Sequence, residues 1–172
     1  MALADLSREQ LLALVDVYAK NWLAHDGCWF LAAEERFGLE TAIALDTAAW
    51  ACFAPIEARR IVQAFDLPAS GGLATLERAL GLRLYSAVNR QESEWVDAET
   101  LRFRMCECRV QQARRRKGLA PFPCKPVGLV EYTGFARAID ARITTRCLQA
   151  PPDPVTDRYC EWEFRLAPGD SV

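Results

Sequence analysis

The scarcities of this chain narrow its reading first. It has one histidine, two methionines, no pair of cysteines at CxxC spacing, no internal repeat and no low-complexity segment. Charged residues interrupt every apolar run well before about 18 positions, so no transmembrane helix is expected and no membrane partner with it. The first residues, Met1 to Glu9, lack a cationic leader followed by a long apolar stretch. A soluble, cytoplasmic protein is the expectation. The formal charge is only -2, so the broad basic field that non-specific nucleic-acid binding needs is missing, and no nucleic-acid partner is expected.

What is present begins with apolar content of 51% over 172 residues, enough to bury one substantial core. A single domain spanning 1–172 is expected, with a helical half over 1–92 and a sheet-bearing, cysteine-rich half over 93–172. The seven cysteines are Cys28, Cys52, Cys106, Cys108, Cys124, Cys147 and Cys160. An odd number without an export signal favours metal or thiol chemistry over a disulfide framework, with some of them packed as small hydrophobes.

Periodicity orders the chain. Ser7-Arg-Glu-Gln10 has the form of a capping box, and Leu11, Val15, Tyr18, Trp22, His25 and Trp29 follow at three- and four-residue steps, which predicts an amphipathic helix ended by Gly38. A second helix is expected from Leu39, continuing or restarting at Pro55 as far as Phe65. After the break at Leu67–Gly72, Ser70 is placed to cap a third helix with the stripe Leu73, Leu76, Leu80, Leu84 and Val88. From Glu94 the period shortens to two, with Leu101, Phe103 and Met105 on one strand face. A basic loop follows, then a helix from Pro126 to about Asp140. Strands over 142–149 and 158–166 close the chain. The fold class expected is α+β, a helical N-terminal layer packed on a small, largely antiparallel sheet with one further helix in the C-terminal half.

The densest chemistry lies between Cys106 and Lys125, where three thiols and six cationic side chains fall within twenty residues. Arg109, Gln111, Arg114, Arg115 and Lys125 are candidates to hold an anionic ligand, since guanidinium groups engage carboxylate or phosphate. Cations beside Cys106, Cys108 or Cys124 would also lower those thiol pKa values. His25 lies between Trp22 and Trp29, a setting for an aromatic-walled pocket with one titratable group. His25 and Glu131 are therefore the candidate acid/base residues, and Trp22 and Trp29 candidate ligand contacts. Cys124, Cys147 and Cys160 each sit beside a turn, a helix start or a strand end. They could converge as thiolate ligands to zinc, one short of the usual four, or pack in the core.

The segments Cys108–Gln111, Ala113–Leu119, Phe122–Val127, Glu131–Thr133 and Tyr159–Phe164, with Asn21–Gly27 and Trp29-Phe30, resemble an uncharacterised bacterial family known only as a "cytosolic protein". More distantly the chain is similar to the L-2-amino-thiazoline-4-carboxylate hydrolase-like family and to the 4-vinyl reductase domain. The latter resemblance implies an α+β fold and a zinc site, with Cys124, Cys147 and Cys160 as ligands and Ala150 at a position that cannot ligate. That leaves an open coordination position for water or substrate, a substitute such as Cys108 or Asp153, or no metal at all. The leading expectation is thus a zinc-binding protein that holds a small anionic ligand. The alternatives are a metal- or thiol-dependent hydrolase of a small sulfur- or nitrogen-containing heterocycle, and an interaction module stapled by a metal. The partner expected is a small molecule, with a homodimer left as an option.

Overall fold

The computed structural model describes residues 2–167, and its first long element follows directly from the capping box. The Gln10 backbone N–H donates to Ser7 Oγ at 3.2 Å and the Ser7 N–H to Gln10 Oε1 at 2.9 Å. Helix α1 then runs unbroken from Arg8 to Phe37. Gly27 has open space around it, and the helix continues through it. Gly38, at φ +83°, ends α1 and starts α2, which spans Leu39–Ala64. One glycine therefore turns the chain back on itself, a reversal that a side chain would strain.

The apolar stripe of α1 is only partly used for packing. Leu11, Val15 and Tyr18 are exposed, whereas Trp22 meets Trp50, Phe53 and Tyr85 at ring distances of 5.9–6.3 Å. Apolar side chains lie on both sides of this helix, so periodicity alone does not pick out the packed side. By length and composition alone α2 is apolar enough to cross a membrane. In the fold it packs along the later helix Lys125–Ile139, with Glu57, Ala54, Ala58 and Ile61 buried on that side. Pro55 stays inside α2, and Gly134 lies beside it where the two helices approach.

Helix α3 covers Gly72–Leu80, and its cap differs from expectation. Ser70 adopts φ +53° and donates its backbone N–H to Ile139 O. The first-turn N–H of Gly72 is taken instead by Asp140 Oδ2 at 3.1 Å, a carboxylate 68 positions away. The leucine stripe also stops early, because Gly81 ends α3 and a separate short helix, α4, spans Leu84–Val88.

The second half supplies β1 (Arg90–Asp97), β2 (Thr100–Glu107), α5 (Arg109–Arg116), α6 (Lys125–Ile139), β3 (Ile143–Gln149) and β4 (Cys160–Leu166). The four strands form one antiparallel sheet in the order β1-β2-β4-β3. Leu101, Phe103 and Met105 of β2 stand opposite Phe164, Trp162 and Cys160 of β4, so the period-two faces meet on the core side. Strand β2 ends at Glu107. The basic segment is not a loop but α5. The α+β class holds, with α6 as the middle layer that receives α2 on one side and β3 on the other.

The outer face of the sheet is ionic. Glu163, 2% exposed, is reached by Arg102, Arg146 and Arg165, and Glu161 by Arg104 and Arg158. These long side chains lie over the backbone that no helix covers, so the uncovered face stays dry close to the strands and polar outside.

Candidate functional site

The largest concentration of chemistry in the interior is not the basic segment but a column of rings and charges beneath α1 and α2. At its base is Arg83, 3% exposed, which enters the core just before α4. Its Nε donates to Glu57 Oε2 of α2 at 2.9 Å, and its Nη2 lies 2.7 Å from Glu131 Oε1 of α6. The second approach is off the line of an N–H, so it is a charge contact and leaves both atoms without an aligned hydrogen bond. The rings of Trp50, Tyr85, Tyr132 and Phe135 surround the guanidinium at 4.7–5.6 Å.

One cation here serves two carboxylates. Burial opposes the charge on Arg83, and Glu131 and Glu57 more than offset it, so the guanidinium is held protonated. Burial raises the Glu131 carboxyl above its ordinary range despite Arg83, with the charges of Glu57 and Asp26 adding to it.

Above this base, Trp22 and Trp50 lead outward to a cleft of about 310 Å³ between α1 and α2. Trp22, Trp29 and Phe30 supply its aromatic walls, and His25, Asp26 and Asp46 its polar groups. Ala33, Ala42 and Ala49 keep the space open, since larger side chains there would fill it. Burial pushes Asp46 up to about 7, with the charges of Asp26 and Glu131 adding to it and the Trp50 indole working against it. Burial likewise raises Asp26, against the opposing effect of His25.

Of the residues singled out in the sequence, Trp22, His25 and Trp29 meet at this cleft, while Glu131 lies in the base beneath it. The basic segment does not reach it. Arg114, buried, forms a two-pronged contact with Glu34 of α1 at 2.6 and 2.9 Å and donates from Nε to Ala120 O, so it fastens α5 to α1. Gln111 exchanges hydrogen bonds with both backbone groups of Phe122 and donates to Cys124 Sγ at 3.1 Å, clamping the turn that leads to α6. Lys125 is paired with Asp153 at 2.8 Å. Arg109 and Arg115 are exposed on α5, away from the residues that line the cleft.

The thiols are likewise not arranged as expected. Burial pushes Cys124 up to about 12, with Cys108 adding to it and the Gln111 hydrogen bond opposing it. Burial also raises Cys108, Cys147 and Cys160, and for Cys106 it outweighs Arg90 and Arg104. The neighbouring cations therefore do not produce thiolates. Cys160 feels Cys124, Cys108 and Glu131, whereas Cys147 sits in the field of Lys125 and Asp153. Ala150 is fully buried, with its N–H given to Asp153. Among the described residues no group of three His, Cys, Asp or Glu side chains is placed to hold a metal ion. Cys124, Cys147 and Cys160 are not gathered into one such group among the described residues.

A family model matches residues 4–166. The chain belongs to DUF6125, a family of unknown function. No curated protein matches this DUF6125 member. Among solved structures it is similar to the phenol-responsive sensory domain of the transcription activator PoxR, crystallised with phenol. The match has a TM-score of 0.57 at 16% identity and covers 83% of this chain and 73% of that one. At that identity the likeness speaks for the fold. Nothing in these matches supports the resemblance to the amino-thiazoline hydrolase-like family or the 4-vinyl reductase domain.

Asp46, Asp26, Phe30, Glu57 and Arg83 were absent from the sequence-based set of site residues. Two of them do carry a signal. Asp46 interrupts the apolar run Thr41–Ala54, and Arg83 stands alone between leucines in Leu80–Tyr85. A lone charge inside an apolar helical stretch costs too much to bury unless it has a partner or a task.

Proposed function

We propose that this protein is a binding domain for a small, single-ring aromatic molecule, held between α1 and α2. The observation that carries the reading is the cleft itself, an open space of about 310 Å³ with Trp22, Trp29 and Phe30 on its walls and polar groups at two aspartates and a histidine. That volume is at the small end of ligand sites, where pockets run from about 300 to 1,000 Å³, and it suits one ring rather than a larger scaffold. The structural likeness to a phenol-responsive sensory domain supports a ligand of this size and kind.

Two features favour binding over hydrolysis. The residues lining the cleft include no serine, threonine or cysteine to act as a nucleophile, and Glu131 is engaged with Arg83 rather than free to exchange a proton with His25. An anionic ligand also loses its basis, because the lining residues include no arginine or lysine and do include Asp26 and Asp46.

The test is a titration of phenol, 2-phenylethanol and benzoate followed by indole fluorescence, since Trp22 and Trp29 stand in the walls. Saturable binding of an uncharged ring, weakened at least about tenfold by Ala49→Phe, which fills the cleft from its rim, is expected. Leu12→Ala, on the exposed part of α1, should bind as the parent does. Equal binding by the Ala49→Phe variant would place the ligand elsewhere and end this reading.

A further inference from the structure

We propose that the cleft selects ligands that carry a cationic nitrogen, an aromatic amine protonated at neutral pH, with Asp26 and Asp46 as its counter-charges. This rests on the cleft being a binding site.

The charge balance of the column points there. Asp46 feels the charges of Asp26 and Glu131, Glu131 feels those of Glu57 and Asp26, and the single arginine that enters the column, Arg83, is spent on Glu57 and Glu131 at its base. At the cleft, Asp46 faces Asp26 of α1, Glu131 of α6 and the Trp50 indole of its own helix, with no cationic group among the influences on it. The only positive influence on Asp26 is His25. Independently of the carboxylates, Trp22, Trp29 and Phe30 line the cleft, with Trp29 exposed at its rim, and indole is the best of the aromatic surfaces for a cation. Buried Glu131 Oε1, which lacks an aligned donor, adds negative potential beneath the floor. A protonated amine supplies the positive charge the column is short of. A neutral ring of the same shape supplies only contact area.

A proton count follows from the high Asp46 pKa of about 7. At pH 6 the free protein holds a proton on Asp46 that an incoming ammonium displaces. Amine affinity therefore rises by up to about tenfold per pH unit as pH approaches 7 and then levels off, with close to one proton released per amine bound at pH 6.

The experiment pairs two near-isosteric probes, phenethylamine and 2-phenylethanol, by isothermal titration at pH 6 and pH 8 in buffers of different ionisation enthalpy. Phenethylamine should bind at least about tenfold tighter than the alcohol at pH 8. Asp46→Asn should bring the ratio of amine to alcohol affinity, both measured on the variant, to within about threefold of one and abolish the proton release. A thermal melt guards against misfolding, since Asp46→Asn should be no less stable than the parent. If the alcohol binds as tightly as the amine, the charge selection is wrong and the cleft remains a site for neutral rings. Binding of neither probe overturns the charge selection and the cleft reading together.

Discussion

Asp46 carries an energetic cost that can be measured without a ligand. Its carboxyl titrates near 7 in the folded protein because burial disfavours the charge, against 3.8 for an ordinary aspartate. The folded state thus binds a proton more tightly than the unfolded one. Its contribution to stability is greatest below about pH 4 and is lost as pH rises from 4 to 7. Asp46→Asn removes that loss. Melts should coincide at pH 4 and diverge by pH 8, where the variant is more stable by about 1–2 kcal/mol once partial exposure is allowed for. A variant less stable than the parent at pH 8 would show that Asp46 is stabilised as the anion. The cysteines give a second test. Cys28 and Cys52 are exposed, whereas Cys108, Cys124 and Cys160 are held neutral by burial. Iodoacetamide at pH 8, read by peptide mass, should label Cys28 and Cys52 within minutes and the three half-buried thiols far more slowly. At this scale the sequence shows which residues share a helix face and hides which charges are paired. Trp22, His25 and Trp29 follow helical spacing and meet where that spacing puts them, because all three lie on one helix. Arg114 and Lys125 looked like ligand contacts because their partners, Glu34 and Asp153, are 80 and 28 positions away and invisible to local pattern.

At the scale of elements, two junctions hold the column in place. Gly128 of α6 faces the Trp162 indole so closely that a Cβ there would come within 2.6 Å of the ring. Gly128→Ala should cost about 1–3 kcal/mol by overpacking, measured by urea unfolding, and an unchanged midpoint would mean the helix can slide on the sheet. Arg83 joins α2 to α6 through Glu57 and Glu131, and Arg83→Met strands two buried carboxylates. A loss of about 3–5 kcal/mol is expected at neutral pH, partly recovered in acid where the carboxylates protonate. These junctions also explain which elements were legible. The boundaries of α1 and α2 follow from the Ser7 cap and Gly38, both local signals, and the alternation in β2 and β4 marks their core faces. Two errors arose where a distant group decides the outcome. Helix α3 is capped by Asp140 rather than Ser70, and α5 is fixed by the Arg114–Glu34 contact, which no feature of its own basic sequence announces.

The whole molecule is a stack in which the sheet supports α6, α6 supports α2, and α1 closes the outer side. The sheet therefore contributes rigidity and its ionic outer face, while the cleft lies at the far side of the stack, between the two helices that Gly38 joins. That arrangement was only half readable from the sequence. The α+β class follows from the change of period near residue 94. The cleft depends on which faces two long helices, both apolar on more than one side, bury: α2 is tied to α6 through Glu57, Arg83 and Glu131, and α1 is held by Trp22 and the Glu34–Arg114 contact, all groups from separate elements. The central claim, that a small ring binds between α1 and α2, is tested most directly by amide NMR during titration with phenethylamine. Saturable shifts should concentrate at residues 22–33 and 42–50, with the strands of the sheet and the segment 106–125 little moved. Shifts concentrated at 106–125 or on the outer face of the sheet, with the two helices silent, would contradict it.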